Sequence, residues 1–272
     1  MIFEFDDDFD LQKIADSGQC FRCADIGGAY RFITGHEVVY ITPRGEGSFE
    51  VSADKEKWDR IWAPYFDLDR SYAIIRRMAD DDFMRSAAGA GEGIRILKQD
   101  PWETLVTFII SQRKSIPAIK KSVEALCSAC GELITTDRES LYVFPDAHAV
   151  AALSTDELAA CALGYRVPYI RDAALKVSRG EICLDKLSFC DDEELFEELK
   201  TIKGVGNKVA SCVMLFAYAR TAFAPVDTWI SKVLEGQYGG RNIFADYGEN
   251  AGIMQQYVFY YAQKNKAAVR NL

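Results

Sequence analysis

The chain has 272 residues, 49% of them hydrophobic, which is enough for one large or two modest cores. No apolar run reaches the ~18 residues a membrane helix needs, and the acidic start Met1-Ile-Phe-Glu-Phe-Asp-Asp-Asp lacks a signal-peptide pattern, so a soluble, intracellular protein is expected. A net charge of −9 excludes a surface that is basic all over, so any contact with a polyanion has to be local.

Residues 1–85 carry 18 acidic against 11 basic side chains and read mostly as strands. Phe3 and Phe5 alternate with acids, and Tyr30–Thr34, Glu37–Thr42 and Ser48–Val51 are short β-rich runs with Gly and Pro turns between them. Lys55 to Tyr65 predicts a short helix that Pro64 breaks. Between these lies Ser17-Gly18-Gln19-Cys20-Phe21-Arg22, which by itself reads as a turn and a strand start.

From about residue 86 the pattern is helical, giving an α+β fold: an antiparallel β domain over 1–85 and a mostly helical region over 86–272. Asp100-Pro101-Trp102-Glu103 is a helix start, with Asp as N-cap and Pro in the first turn. The apolar run from Thr104 to Ile110 predicts a buried helix. A polar, basic link at Gln112-Arg113-Lys114 follows, then a helix over Ile116–Cys130. Ser154-Thr-Asp-Glu157 is a capping box. Gly164-Tyr165-Arg166 and Pro168 precede another helix, and Tyr247 to Gln263 predicts an aromatic-rich final helix.

The most informative stretch is Leu199-Lys-Thr-Ile-Lys-Gly204-Val-Gly206-Asn-Lys208-Val-Ala-Ser-Cys212, followed by Pro225-Val-Asp227-Thr-Trp229. Two glycines one residue apart permit a tight turn with positive φ, and a turn opening a helix offers backbone N–H groups to an anion. A helix from about Asn207 to Ala219 follows, with Val209, Cys212, Val213 and Phe216 on one face. Lys208 falls in its first turn, where the dipole and an apolar surround favour the neutral, nucleophilic amine. Asp227 is placed to cap the next helix and to face a developing positive charge. From 199 to 235 five basic residues face two acidic ones, so this stretch is locally basic.

Leu199-x-x-Ile-x-Gly-Val-Gly-x-Lys208-Val-Ala with Pro225-Val-Asp227 resembles the helix–hairpin–helix–Gly/Pro–Asp motif of base-excision DNA glycosylases, and a lysine at the helix start marks the glycosylase-plus-lyase branch. Ser17-Gly18-Gln19-x-Phe21-Arg22 and Asp100-Pro-Trp-Glu-Thr-Leu resemble the 8-oxoguanine members. The resemblance implies Lys208 and Asp227 as catalytic residues. It places the Gly18 carbonyl on N7–H of the damaged base, Gln255 on its Watson–Crick edge, and Phe259 and Cys212 against its two faces. Gln255 and Phe259 are i and i+4, so they share a helix face. For DNA contact the resemblance implies Gln112, Arg113, Lys114, Tyr165, Arg166, Gly204, Gly206 and Trp229. The implied partner is double-stranded DNA containing 8-oxoguanine, met by a monomer in the cytoplasm at the nucleoid, away from any membrane.

Three positions depart from the eukaryotic members. Ala118 stands where an arginine reads the opposite cytosine, which puts that preference in doubt, and Trp229 and Ala262 replace a histidine–aspartate pair. These point to a bacterial-type variant. No cofactor is required. No cysteine follows Cys212, so no iron–sulfur cluster is expected, and with only His36 and His148 a histidine metal centre is not expected either. Cys20-x-x-Cys23 and Cys127-x-x-Cys130 have zinc-like spacing but fall in different predicted domains, so zinc is not expected. The resemblance allows a structural monovalent cation at the backbone carbonyls of Lys200, Ile202 and Val205. Two alternatives remain: a bifunctional glycosylase for another oxidised base, and a non-catalytic helix–hairpin–helix DNA-binding protein. The base-pocket set argues against the first. The Lys208 and Asp227 pair argues against the second, since binding alone needs neither.

Overall fold

The computed structural model describes residues 1–45 and 47–265. Its elements begin with β1 (Ile2–Glu4), helix α1 (Leu11–Asp16), β2 (Ala24–Ile26), β3 (Ala29–Thr34), β4 (Glu37–Gly45) and β5 (Ser48–Val51). The five strands form one sheet in the order β1-β5-β4-β3-β2. β1 with β5, β2 with β3 and β4 with β5 pair antiparallel, with Phe3 opposite Phe49 and Asp25 opposite Tyr30. Longer helices follow: α2 (Asp82–Ala90), α3 (Pro101–Ser111), α4 (Ile116–Cys130), α5 (Thr155–Ala160), α6 (Val167–Ser178), α7 (Asp192–Lys200), α8 (Asn207–Phe216), α9 (Thr228–Tyr238) and α10 (Ala251–Lys264). The architecture is thus an antiparallel sheet followed by a mostly helical region, as the sequence predicts.

The chain separates into two compact units. One comprises residues 1–32, 39–98 and 214–272, and the other residues 33–38 and 99–213. This division runs differently from a single break near residue 85, because the last helices pack in the unit that holds most of the sheet.

In the first unit, the inward residues of the sheet meet the helical stretch after it. Phe32, Val39, Ile41, Phe49 and Val51 pack with Leu11, Ile14, Trp58, Trp62 and Phe66. Burial of these large side chains is the main stabilising term. α1 was not predicted: Asp10 caps it by accepting from Lys13 N–H at 2.9 Å, and a lone cap among several acids gives little sequence signal. The predicted break at Pro64 does not occur. Helix Lys55–Lys57 passes through a wider π turn at Trp58–Trp62 into Ala63–Tyr65. The Ala63 N–H bonds back to the Trp58 carbonyl, so the register has already widened where the proline lacks its N–H. α10 begins at Ala251 rather than at Tyr247. Residues Phe244–Asn250 form a 3-10 segment broken by Gly248 at φ 53°, ψ −123°.

In the second unit, α3 is capped as expected, Asp100 accepting from Glu103 N–H at 2.8 Å, and its residues from Glu103 to Ile110 are all buried. α4 has its predicted bounds, and Ser154 and Glu157 form the capping box of α5. α8 begins in this unit, where its Val209, Cys212 and Val213 are buried, and ends among the residues of the first unit at a buried Phe216, three residues before the predicted end.

Candidate nucleic-acid interface and catalytic residues

In the second unit, α7 and α8 are joined by the glycine turn. Gly204 takes φ +82°, and a Cβ there would lie 2.4 Å from the Tyr169 ring, so only glycine fits under that aromatic. Gly206 is different: its φ is not left-handed and nothing lies within 4 Å of a Cβ. Only one of the two glycines is therefore demanded by backbone geometry. Gly206 opens α8, its carbonyl accepting from Ala210 N–H at 3.0 Å. Because glycine has no side-chain oxygen to cap the following N–H groups, the start of the helix can serve an anion.

The turn is fixed by α6 and by the end of α3. Asp172 accepts from Lys203 N–H at 2.8 Å, Lys176 Nζ donates to the Thr201 carbonyl at 2.6 Å, and Gln112 Nε2 donates to the Gly204 carbonyl at 3.1 Å. Lys208, half-buried in the first turn of α8, holds its Nζ 5.0 Å from the centre of the Phe108 ring. The Ile202 carbonyl, one of those a cation would use, already accepts from Val205 N–H at 3.0 Å.

The basic link after α3 behaves less uniformly than its sequence suggests. The Gln112 carbonyl accepts from Arg166 Nη2 and from Tyr165 Oη, the latter at 3.3 Å. Arg166 is 6% exposed and also donates to the Leu163 carbonyl, while its guanidinium lies 4.3 Å from the Tyr165 ring centre. Lys114 Nζ donates to Ser122 Oγ at 2.5 Å and to the Ala162 carbonyl at 2.6 Å. Burial, with the Arg166 charge second, holds its pKa below the usual lysine value. Gln112, Lys114 and Arg166 thus brace two loops to each other. Arg113 is the exposed cation between them, in a left-handed conformation at φ 51°. Tyr165 is 50% exposed, an aromatic available to a ligand.

In the first unit, Asp227 caps α9. Its Oδ1 accepts from the Trp229 and Ile230 N–H groups, both at 2.9 Å, and no described residue bonds its other oxygen. One carboxylate oxygen therefore shapes the helix while the other keeps its capacity for a positive partner. Trp229 is half-buried, with Lys232 Nζ 5.9 Å from its ring centre.

α10 is buried along residues 251–258, and Phe259 is half-exposed one turn after Gln255. Gln255 is 3% exposed, and its buried Oε1 has no hydrogen-bond partner among the described residues. A buried acceptor left unmatched is costly, which suits a residue awaiting a ligand's donor. Close packing of α10 requires Gly252, where a Cβ would lie 2.4 Å from the Phe223 carbonyl oxygen.

Gly18 sits at φ +77° in the turn that the residues themselves predict, while its role against a base is implied only by the resemblance. Its neighbours are fully engaged. Ser17 Oγ donates to the Ile14 carbonyl at 2.7 Å. Gln19 Nε2 donates to Ser17 Oγ at 2.9 Å and to the Arg95 carbonyl at 2.8 Å, and Gln19 Oε1 accepts from Leu97 N–H at 2.8 Å. Gln256 Nε2 donates to the Ser17 carbonyl at 2.6 Å. Gln19, Gln256, Tyr169 and Asp172 were not singled out from sequence. Adjacent glutamines in an otherwise apolar helix are the signal that could have found Gln256.

Cys20 and Cys23 lie in the core of the sheet, and Cys127 is buried on α4. Among the described residues, no three His, Cys, Asp or Glu side chains group as metal ligands. No described helix is long and apolar enough to cross a membrane.

Comparison with known proteins shows the family to which the chain belongs. Residues 2–105 match the family described as 8-oxoguanine DNA glycosylase, N-terminal domain, and residues 106–245 match the HhH-GPD superfamily base excision DNA repair proteins. A Methanothermobacter thermautotrophicus protein named "Probable N-glycosylase/DNA lyase" is 26% identical, with 95% of each chain covered. The Saccharomyces cerevisiae N-glycosylase/DNA lyase is 33% identical over 68% of this chain and 48% of its own length. The structure of Clostridium acetobutylicum 8-oxoguanine glycosylase/lyase, in complex with double-stranded DNA containing cytosine opposite 8-oxoguanine, superposes with a TM-score of 0.91. It is 34% identical, and 98% of each chain is covered. The chain belongs to the HhH-GPD superfamily of base excision DNA repair proteins, in the branch that carries the 8-oxoguanine DNA glycosylase N-terminal domain.

Proposed function

We propose that this chain excises 8-oxoguanine from duplex DNA and nicks the strand at the resulting abasic site. The observation that carries the reading is Lys208 in the first turn of α8, behind a hairpin fixed by Gln112, Tyr169 and Asp172, in a chain that also has the 8-oxoguanine glycosylase N-terminal domain. The lesion leaves the stack because C1′ of its sugar cannot be reached inside a duplex. The hairpin and the start of α8 hold a phosphate and fix register without reading sequence. Arg113 and Tyr165 enter the opened duplex, while Gln112, Lys114 and Arg166 hold their loops in place.

Lys208 attacks C1′ through the nitrogen lone pair. The N-glycosidic bond breaks with its electrons going to the departing base, which leaves with a proton. Opening of the sugar ring gives a Schiff base, and loss of a C2′ proton then expels the 3′-phosphate. The oxygen of Asp227 that is free of the helix cap stabilises the cationic sugar. Gly18, Gln255, Phe259 and Cys212 select the base. Guanine has a lone pair at N7 where 8-oxoguanine has a proton, so one carbonyl at Gly18 attracts the second and repels the first.

Ala118 supplies no guanidinium to the opposite base, so cytosine is not strictly required. Single-turnover excision from duplexes with 8-oxoguanine opposite each of the four bases tests the proposal. Rates within about tenfold of one another are expected, since no charged hydrogen bond discriminates among the partners. Absence of excision from all four, with binding retained, would favour a non-catalytic DNA-binding protein.

A further inference from the structure

We infer that Gln256 is a positioning residue for lesion selection, acting through the Ser17–Gly18 peptide; the inference rests on the proposed role of the Gly18 carbonyl. Gln256 and Ser17 are both buried, at 3% and 0% exposure, and the 2.6 Å bond from Gln256 Nε2 ends on the Ser17 carbonyl. That carbonyl shares its peptide plane with the Gly18 N–H. On the far side of Gly18, the Gln19 side chain is tied to Ser17 Oγ, to the Arg95 carbonyl and to Leu97 N–H. Arg95 is itself fully buried and donates to the carbonyls of Asp8, Phe66, Asp67 and Arg70, so the anchor is rigid.

Gly18 is therefore a flexible residue at φ +77° held from both sides, and among the described residues no group donates to its own carbonyl. Glycine moves between left- and right-handed conformations at little cost. Released on one side, it could rotate its carbonyl away from the direction the lesion needs. Discrimination depends on placing one acceptor within hydrogen-bond range, and hydrogen bonds weaken steeply with misalignment. Gln256 would thus set selectivity without touching the base. This role differs from that of its neighbour Gln255, whose Oε1 is left without a partner.

The test compares three substrates under single-turnover conditions: duplexes containing 8-oxoguanine, guanine or a preformed abasic site. Gln256→Met keeps the size and removes the donor. Excision of 8-oxoguanine should fall about tenfold or more, while nicking at the abasic site, which has no base to place, stays within about twofold. Gln256→Glu adds a readout that a purely structural role would not move. Its protonated carboxyl can donate to the Ser17 carbonyl and its carboxylate cannot, so 8-oxoguanine excision relative to abasic-site nicking should recover as the pH falls. Equal loss on 8-oxoguanine and abasic substrates, or no loss on either, overturns the inference. A wild-type chain that fails to prefer 8-oxoguanine over guanine would instead overturn the parent reading.

Discussion

Asp227 uses its two carboxylate oxygens differently. Oδ1 receives two backbone N–H groups at the start of α9, and the other oxygen is free of them. Because Asn caps a helix about as well as Asp, Asp227→Asn should preserve folding and remove only the charge. Its melting temperature should stay within a few degrees of wild type while excision falls about 10²-fold or more. Asp227→Ala should lose the cap as well, lowering stability by about 1 kcal/mol. Thermal melts and single-turnover rates on both variants check this, and a parallel loss of folding in the Asn variant would contradict it. The Asp227 cap and the first-turn position of Lys208 were legible in the sequence because each stands beside local punctuation: a proline before the first, a glycine turn before the second. The inward placement of Arg166 and Lys114 could not. Their partners are carbonyls at Gln112, Leu163 and Ala162, and periodicity carries no record of such partners.

The hairpin between α7 and α8 is an element whose shape depends on one glycine. Gly204 has left-handed φ and lies against Tyr169, whereas Gly206 has neither constraint. Gly204→Ala combines strain at positive φ with a clash against an aromatic ring. It should cost about 1–3 kcal/mol and weaken binding to undamaged duplex. Gly206→Ala should be far milder, and equal effects at the two positions, measured by melting and by titration with duplex, would contradict the account. The sequence marks this hairpin, the caps at Asp100 and Ser154 and the bounds of α4, because each rests on residues within a turn of one another. It fails where distant or irregular geometry decides. Pro64 is absorbed by a π turn, Gly248 delays the last helix to Ala251, and α1 has only the Asp10 cap to announce it.

The whole molecule is acidic, with a net charge of −9, yet the stretch 199–235 has five basic residues against two acidic ones. Binding to duplex DNA should therefore be modest and local, and should weaken steeply as salt rises, with a log–log slope of about −0.9 per phosphate neutralised. Titrations across a salt series check this, and a salt-independent affinity would contradict it. The α+β architecture follows from the switch between strand and helix periods along the chain. The packing of residues 214–272 with the sheet-bearing unit depends on contacts far apart in sequence, so periodicity does not reveal it. The proposed excision depends on covalent chemistry at Lys208. It is tested most directly by borohydride reduction of the protein on a labelled duplex carrying 8-oxoguanine, with wild type and Lys208→Gln side by side. The wild type should give a trapped protein–DNA adduct and the variant none, while both bind the duplex. An adduct that persists in Lys208→Gln, or a wild type that binds but neither traps nor nicks, would contradict it.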